Sequence, residues 1–391
     1  MKILVSCDDY CYKYKGDYYL RDFGITLVNR YLMAFDKVRF VVRTKEVYSK
    51  EDLNRYKIKI DSERVEIVPV PFFQGPKQYA KVFFKTKNTL RDVAEGCDIA
   101  CLRLPSTTAF AVWTKIKNKI PYFVEVVADC HDLYTGARSL LHKSLWYRMH
   151  VKMVDACNHA IGVSCVTRDY LQQHYTSKLP GAIFSHYSSV EMLSSFRYQA
   201  RTYPQKKQHE IILVANQVYL NSGKGHRLAI DALKLLKEKQ CVVTLTLVGG
   251  DYFGGINDIK AYAESLGVAD QIEFTGFINS VQLKECLKKA DILILPTHAE
   301  GLPRVIIEAL ALGLPCVTTP VSGNPELIDK EFLVNYDDAE GFANKIITLI
   351  KDEKLYEQQS KVNFERSHEY CKDVLDERRK NFFLELKQKI N

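Results

Sequence analysis

The chain has 391 residues, 47% of them hydrophobic and 26% charged, with 55 Lys and Arg against 47 Asp and Glu for a formal net charge of +8. That length exceeds what one core usually organises, so two domains are expected. No uninterrupted apolar run reaches the roughly 18 residues of a membrane span, and MKILVSCDD meets acids too early for a signal peptide, so the reading is a cytoplasmic protein, soluble or peripheral at the inner face of the cell membrane. Eleven cysteines without CxxC pairs favour reduced thiols, and no His cluster accompanies the four-residue spacings Cys7/Cys11 and Cys97/Cys101, so no metal site is expected.

The charge is unevenly divided. Residues 1–200 hold 30 Lys and Arg against 20 Asp and Glu, whereas residues 201–391 hold 25 against 27. A basic half attracts nucleic acid, anionic lipid or an anionic acceptor, but no P-loop, arginine-rich arm or nucleic-acid motif is present.

In chain order, residues 2–6 and 38–44 read as strands around a helical stretch near 23–35, and 65–70, 99–102, 122–127 and 159–163 as further strands, an alternation that implies a parallel sheet. Within PFFQGPKQYAKVFFKTKNTL (71–90), Lys77, Lys81 and Lys85 recur four apart beside Tyr79, Phe83 and Phe84. If helical, this segment is either a membrane-surface contact or a solvated helix with its aromatics turned inward. The polar stretch 196–209, FRYQARTYPQKKQH, reads as a linker. A second strand series follows at 210–215, 242–248, 272–274, 291–296 and 316–319, and 353–391 is helical in pattern.

Two constellations of the second half suggest chemistry. The buried-strand run 291–296 ends in the turn Thr297-His298-Ala299-Glu300-Gly301, and a helix begins near Pro303, suited to the first helical position, with Gly313 and Pro315 at its end. Glu300 and Glu308 are thereby set around a strand-to-helix turn, where open parallel sheets bind ligands. A carboxylate there accepts hydrogen bonds from sugar hydroxyls, although two acids at an ordinary helix start fit the same pattern. Upstream, a strand leads through Asn216 and Gln217 to Ser222-Gly223-Lys224-Gly225 and an amphipathic helix, and a lysine at a helix entrance suits a diphosphate.

The wording EGLPRVIIEALALGLPCV followed by SGNPELI resembles the E-x7-E signature of the retaining glycosyltransferases of the family 4, or group 1, type. The resemblance implies an α/β chain of GT-B fold, with two Rossmann-like domains whose parallel sheets face each other across a cleft. It divides the chain into an N-terminal acceptor-binding domain (1–195), the linker, a C-terminal donor-binding domain (210–370) and a last helix (371–391) packing back on the N-terminal domain, with Phe382, Phe383 and Leu386 as its anchoring face. Glu300 is implied to contact the donor sugar, Glu308 the ribose hydroxyls, Lys224 and Gly225 the diphosphate, and the backbone N–H groups of Arg304 and Val305 the pyrophosphate. Gly249, Gly301 and Leu302 complete the donor site, and Phe277 and Ile278 lie near the base. Relatives often carry an arginine after the first strand of the donor domain. Asn216 and Gln217 stand there in this chain, so Lys224 and helix N-termini carry the electrostatic demand.

In the first half, PYFVEVVADCHDLYTGARS resembles the family's strand followed by His-Asp, which makes His131 the sugar-facing histidine. Asp129 is a rival for that contact. Arg103, in CLRLPS, is an acceptor-side candidate or a surface ion pair. Gly16 is the one glycine near the place where relatives carry a Gly-Gly turn. The expected activity is transfer of a hexose from a UDP- or GDP-sugar to a glycan or lipid-linked acceptor, as in capsule, O-antigen or exopolysaccharide synthesis, without cofactor or metal. A hexosamine 2-epimerase and a non-catalytic sugar-nucleotide-binding subunit are the alternatives.

Overall fold

The structure, a computed structural model, describes residues 1–53, 56–135, 139–251 and 254–390. The chain divides into two compact units: unit 1 comprises Met1–His131, Ser144–Tyr187 and Asp376–Asn391, and unit 2 comprises Asp132–Lys143 and Ser188–Leu375.

Unit 1 is built on one sheet of β1 (Lys2–Tyr14), β2 (Asp17–Leu20), β3 (Lys37–Glu46), β4 (Ile58–Lys59), β5 (Val65–Pro71), β6 (Ile99–Leu104), β7 (Tyr122–Val126), β8 (Gly162–Cys165) and β9 (Ile183–His186). Its parallel body runs β5-β3-β1-β6-β7-β8-β9. Helices α1 (Asp22–Leu32), α2 (Gly75–Thr89), α3 (Thr107–Ile116), α4 (Cys130–Thr135) and α5 (Leu140–Asn158) fall between the strands. Strands β6, β7 and β8 are buried along their whole length, which explains their unbroken apolar runs.

Two elements differ from the sequence reading. β1 does not stop near Ser6. It runs on to Tyr14, because its second half pairs with β3 and, through a hairpin, antiparallel with β2. Lys15 and Gly16 make the left-handed turn at φ 48° and 91°, so Gly16 serves a hairpin tip. β8 starts at Gly162, later than expected, because α5 continues to Asn158.

The last helix contributes Phe382, Phe383 and Leu386 to the core of unit 1, each at most 2% exposed. Phe383 packs on Tyr31 and Phe35 at ring distances of 5.5 and 5.7 Å, and Phe382 meets Phe123 edge-on at 5.6 Å. A side chain at Gly162 would lie 2.8 Å from Leu386, so glycine in β8 lets the helix approach.

Unit 2 is a parallel sheet of β10 (His209–Gln217), β11 (Val243–Gly250), β12 (Ile272–Gly276), β13 (Ile292–Leu295) and β14 (Cys316–Thr318), ordered β12-β11-β10-β13-β14. The chain starts at the centre, builds outward to β12, then returns to the other side of β10. The order therefore reverses between β10 and β13, the point where open α/β sheets leave a crevice for ligands. The helices are α6 (His226–Glu238), α7 (Gly255–Ser265), α8 (Ser280–Lys289), α9 (Arg304–Ala311), α10 (Asn324–Leu327), α11 (Ala339–Lys351) and α12 (Glu353–Arg366), and α13 (Lys372–Ile390) closes the chain.

Residues 196–209 lie within unit 2 and are strapped to it. Arg201 donates to the carbonyls of Leu287 and Leu312, each at 2.7 Å, and to that of Ala290. These are the C-terminal ends of α8 and α9, whose last carbonyls lack intrahelical partners and favour a cation. Arg197 likewise donates to the Phe364 carbonyl at 2.9 Å. The polar composition of the segment reflects helix-end capping. All eleven cysteines are free thiols, and among the described residues no helix is long and apolar enough to cross a membrane.

Candidate functional site

The C-terminal edge of the unit 2 sheet carries three loops that hold one another. The turn after β10 presses against the end of β13: at Gly225, with φ 80°, a Cβ would lie 1.9 Å from the Pro296 carbonyl oxygen, so only glycine fits. The Gly223 carbonyl accepts from the His298 N–H at 2.9 Å and lies 3.1 Å from the Thr297 hydroxyl. On the other side, Gly323 N–H donates to the Gly301 carbonyl at 3.0 Å. Ser322, in the left-handed region at φ 46°, places its hydroxyl 2.7 Å from the Glu300 carbonyl oxygen and 2.6 Å from the Asp132 carboxylate. Ser322 lies inside the SGNPELI stretch, but nothing in its residue type signals this contact.

This clasp brings Lys224 and Glu300 together. The ammonium and carboxylate form a direct ion pair, with 36% and 11% of the side chains exposed, so the cation still faces solvent while the acid is mostly covered. Beneath them His226, fully buried, is bonded to Ser222. Burial, with the charge of Lys224, pushes its imidazole down to about 4. It is therefore neutral at pH 7, and Lys224 is the cation of this loop.

α9 begins at Arg304, with Pro303 at the N-cap, one residue later than the sequence suggested. Gly301 and Leu302 are buried under the turn, Arg304 is exposed and Val305 half-buried. The opening N–H groups of a helix have no partner within it and attract anions. About one turn along, Glu308 has its carboxyl pushed up to about 7 by burial, against a downward pull from Arg304. The two glutamates thus differ: Glu300 is ion-paired with a lysine, whereas burial raises the carboxyl of Glu308.

Other expected donor residues are distributed along the same edge. Asn216 is exposed and Gln217 half-buried, where the β10–β11 register shifts. Gly249, at φ 151°, is required because a Cβ would sit 2.3 Å from the Ala215 carbonyl oxygen, so its role is strand crowding. Phe277, 63% exposed, and half-buried Ile278 follow β12, three strands from β13. They are therefore about 14 Å along the sheet from the Glu300 loop.

In unit 1, β7 ends at a cluster built on Asp129. This acid is buried, and its Oδ1 accepts from the His131 N–H and the Tyr175 hydroxyl, each at 2.7 Å. Tyr175 is in turn 3.1 Å from His150 Nδ1. The His131 ring stacks on His174 at 4.7 Å and 13°. Asp129 thus holds the start of α4 and so the position of His131, while His150, His174 and Tyr175 come from distant sequence and had no local signal. Asp129, His131 and His174 each offer a ligand atom within 4.8 Å of the others. Near-parallel imidazoles do not aim their in-plane lone pairs at one point, so the arrangement suits ring packing better than a shared ion.

Arg103 is placed differently from the expectation of an edge residue. It is 7% exposed and ion-paired with buried Glu125. Glu125 also accepts from the Tyr187 hydroxyl at 3.0 Å, which lies 2.9 Å from Ser164. The β6–β7 register puts Arg103 directly opposite Glu125, so its charge is satisfied inside the sheet.

Two parallel α/β units, one with a lysine–carboxylate pair at a topological switch point, define the class as GT-B. Residues 197–366, less than half of the chain, match the family model of the glycosyl transferases group 1, which together with the relatives supports a glycosyltransferase. It is similar along its whole length to Protein CapJ of Staphylococcus aureus, at 27% identity over all of this chain and 97% of that one. The amylovoran biosynthesis glycosyltransferase AmsK of Erwinia amylovora is 29% identical over 37% of each chain. Among solved structures, HepE of Anabaena in complex with UDP-glucose superposes with a TM-score of 0.64 at 19% identity, covering both chains fully, which shows the fold.

Proposed function

We propose that the chain is a retaining glycosyltransferase of the family 4 type. It moves a hexose from a nucleoside diphosphate sugar to a hydroxyl of a glycan or lipid-linked glycan in surface polysaccharide assembly. The observation that carries this is the Lys224–Glu300 pair, fastened by Gly225 and Ser322 beside the N-terminus of α9. The names of AmsK and of the UDP-glucose complex of HepE support the polysaccharide setting and a uridine nucleotide.

In this reading the bond between the anomeric carbon and the diphosphate oxygen breaks, and charge develops on the leaving group. Lys224 and the first-turn N–H groups of α9 stabilise it. The acceptor oxygen bonds the anomeric carbon on the face the diphosphate leaves, and its proton passes to a phosphate oxygen. Glu300 hydrogen-bonds the sugar hydroxyls, and Glu308 takes the ribose. The cationic groups make a metal unnecessary for diphosphate departure.

A thermal-shift series with UDP, GDP, ADP and their sugars tests this, since a ligand that binds the native state raises its melting temperature by mass action. Stabilisation by one nucleotide series, lost in Glu300→Ala, is the expected result. Equal binding by that variant overturns the donor site.

A further inference from the structure

Helix α2 lacks the buried face that a helix in a folded unit normally has. Of its fifteen residues, only Thr86 is buried. Its Pro76, Tyr79 and Phe83 nevertheless follow one another at helical spacing and, with Phe110 of α3 and Trp146 of α5, line a cavity of 1120 Å³ in unit 1. The walls remain open to solvent: Phe83 is 38%, Leu145 37% and Val151 48% exposed. Concave apolar surface of this size, left uncovered, marks a binding site.

The helical segments at the cavity bring charge of one sign, and the acid in its lining, Asp8, is paired with Arg43. Residues 75–90 and 140–154 contain no Asp or Glu. Lys87, Arg148 and Lys152 are exposed lining residues, and α2 adds Lys77, Lys81 and Lys85. A partner must therefore offer both an apolar body and negative charge. The remaining polar lining is of another kind. Arg43 is 2.6 Å from Asp8, donates to the Phe73 carbonyl at 3.0 Å, and lies over the Tyr10 and Phe73 rings at 4.3 and 4.7 Å. Its charge is consumed internally, whereas the Asp8 side chain stays half exposed and, beside Ser106, presents hydrogen-bonding groups to the cavity.

We propose that this cavity seats one molecule of a lipid phosphate, its hydrocarbon chain between α2, α3 and α5 and its phosphate on Lys87, Arg148 and Lys152. A concave shape with apolar walls suits a single chain better than the flat face of a bilayer, and the cationic rim supplies the complementarity to phosphate. The inference deepens the lipid-linked acceptor reading above and rests on it for its biological meaning.

The test is calorimetric titration of the full-length protein with farnesyl phosphate, farnesol and inorganic phosphate. Farnesyl phosphate is expected to bind, farnesol about tenfold more weakly, and phosphate alone not at all. Phe83→Glu and the double variant Arg148→Glu/Lys152→Glu, all at exposed positions, are each expected to weaken farnesyl phosphate binding about tenfold or more, with unchanged circular dichroism. Absence of farnesyl phosphate binding, or binding indifferent to both variants, overturns the proposal. So does association with phosphatidylglycerol vesicles that survives Phe83→Glu and is lost only in the charge variant, because that pattern describes a bilayer surface. UDP titration of the same variants keeps the two readings apart: failure of nucleotide binding strikes the donor site, and failure of farnesyl phosphate strikes the cavity alone.

Discussion

In unit 2, the loops at the edge of the sheet are clasped to one another through Gly225, Gly223, Gly301 and Ser322. In unit 1, the helices around the cavity leave Phe83, Leu145 and Val151 open. Both units are parallel α/β sheets with crossover helices, so architecture does not account for the contrast. On the two proposals above, its source is what each edge would hold. A nucleoside diphosphate needs backbone amides and a cation fixed in place, because misplacement of such groups is costly. A hydrocarbon chain needs apolar side chains left open to receive it.

The contrast is broken most strongly at Lys224. Lys224→Ala is expected to lower kcat by about 100- to 1000-fold, as for removal of one group that stabilises leaving-group charge, with the fold intact. Steady-state kinetics with the preferred donor measure this, and a change confined to KM refutes the role. Gly225→Ala tests the clasp itself. With a Cβ driven to 1.9 Å from the Pro296 carbonyl, the substitution is expected to cost about 2–4 kcal/mol in urea unfolding and to weaken nucleotide binding. Gly16→Ala is the control in unit 1. It carries a positive φ of 91° but meets nothing within 4 Å, so about 1 kcal/mol is expected. Equal costs at the two glycines would show that backbone conformation, and not the close approach, governs both.

Arg201→Ala removes the cap from two helix ends in unit 2 and is expected to lower stability by about 2 kcal/mol, with donor KM little changed. The smallest effect is a pH dependence. Glu308 has a raised pKa of about 7, so in the folded protein it is protonated below that value and ionised above it. If its carboxylate receives the ribose hydroxyls, nucleotide affinity rises as pH increases through 7, by roughly tenfold or less, and Glu308→Gln flattens the profile. The linkage runs the other way for stability. A carboxyl raised from 4.5 destabilises the fold as pH climbs from there to about 7, so the glutamine variant is expected to be relatively more stable above pH 7.

Much of the candidate site in unit 2 was legible because it is local. Glu300, Gly301, Pro303 and Glu308 sit within one strand-turn-helix, and Lys224 and Gly225 within another, so spacing alone sets their order along the edge. The Asp129 cluster was legible only at Asp129 and His131. His150, His174 and Tyr175 arrive from a helix and a turn beyond it, and their types carry no mark of that meeting. Arg103 and the segment 196–209 were misread for a shared reason. A charged side chain in a sequence suggests solvent, yet Arg103 meets Glu125 across two strands and Arg201 meets carbonyls of two helices. Such satisfaction is invisible until those elements are assembled.

The sequence by itself determined the alternation of strands and helices, the two-unit division in outline and the strand-turn-helix that sets Glu300 and Glu308 at the sheet edge. Each rests on hydrophobic period, turn residues or spacing along a few dozen positions. Only the tertiary structure decided that β13 returns beside β10, which joins Lys224 to Glu300. It alone decided that β1 extends into a hairpin and that α2 faces an open cavity instead of a core. Those outcomes depend on which strands pair and which helix faces find a neighbour, long-range choices made by packing the whole chain.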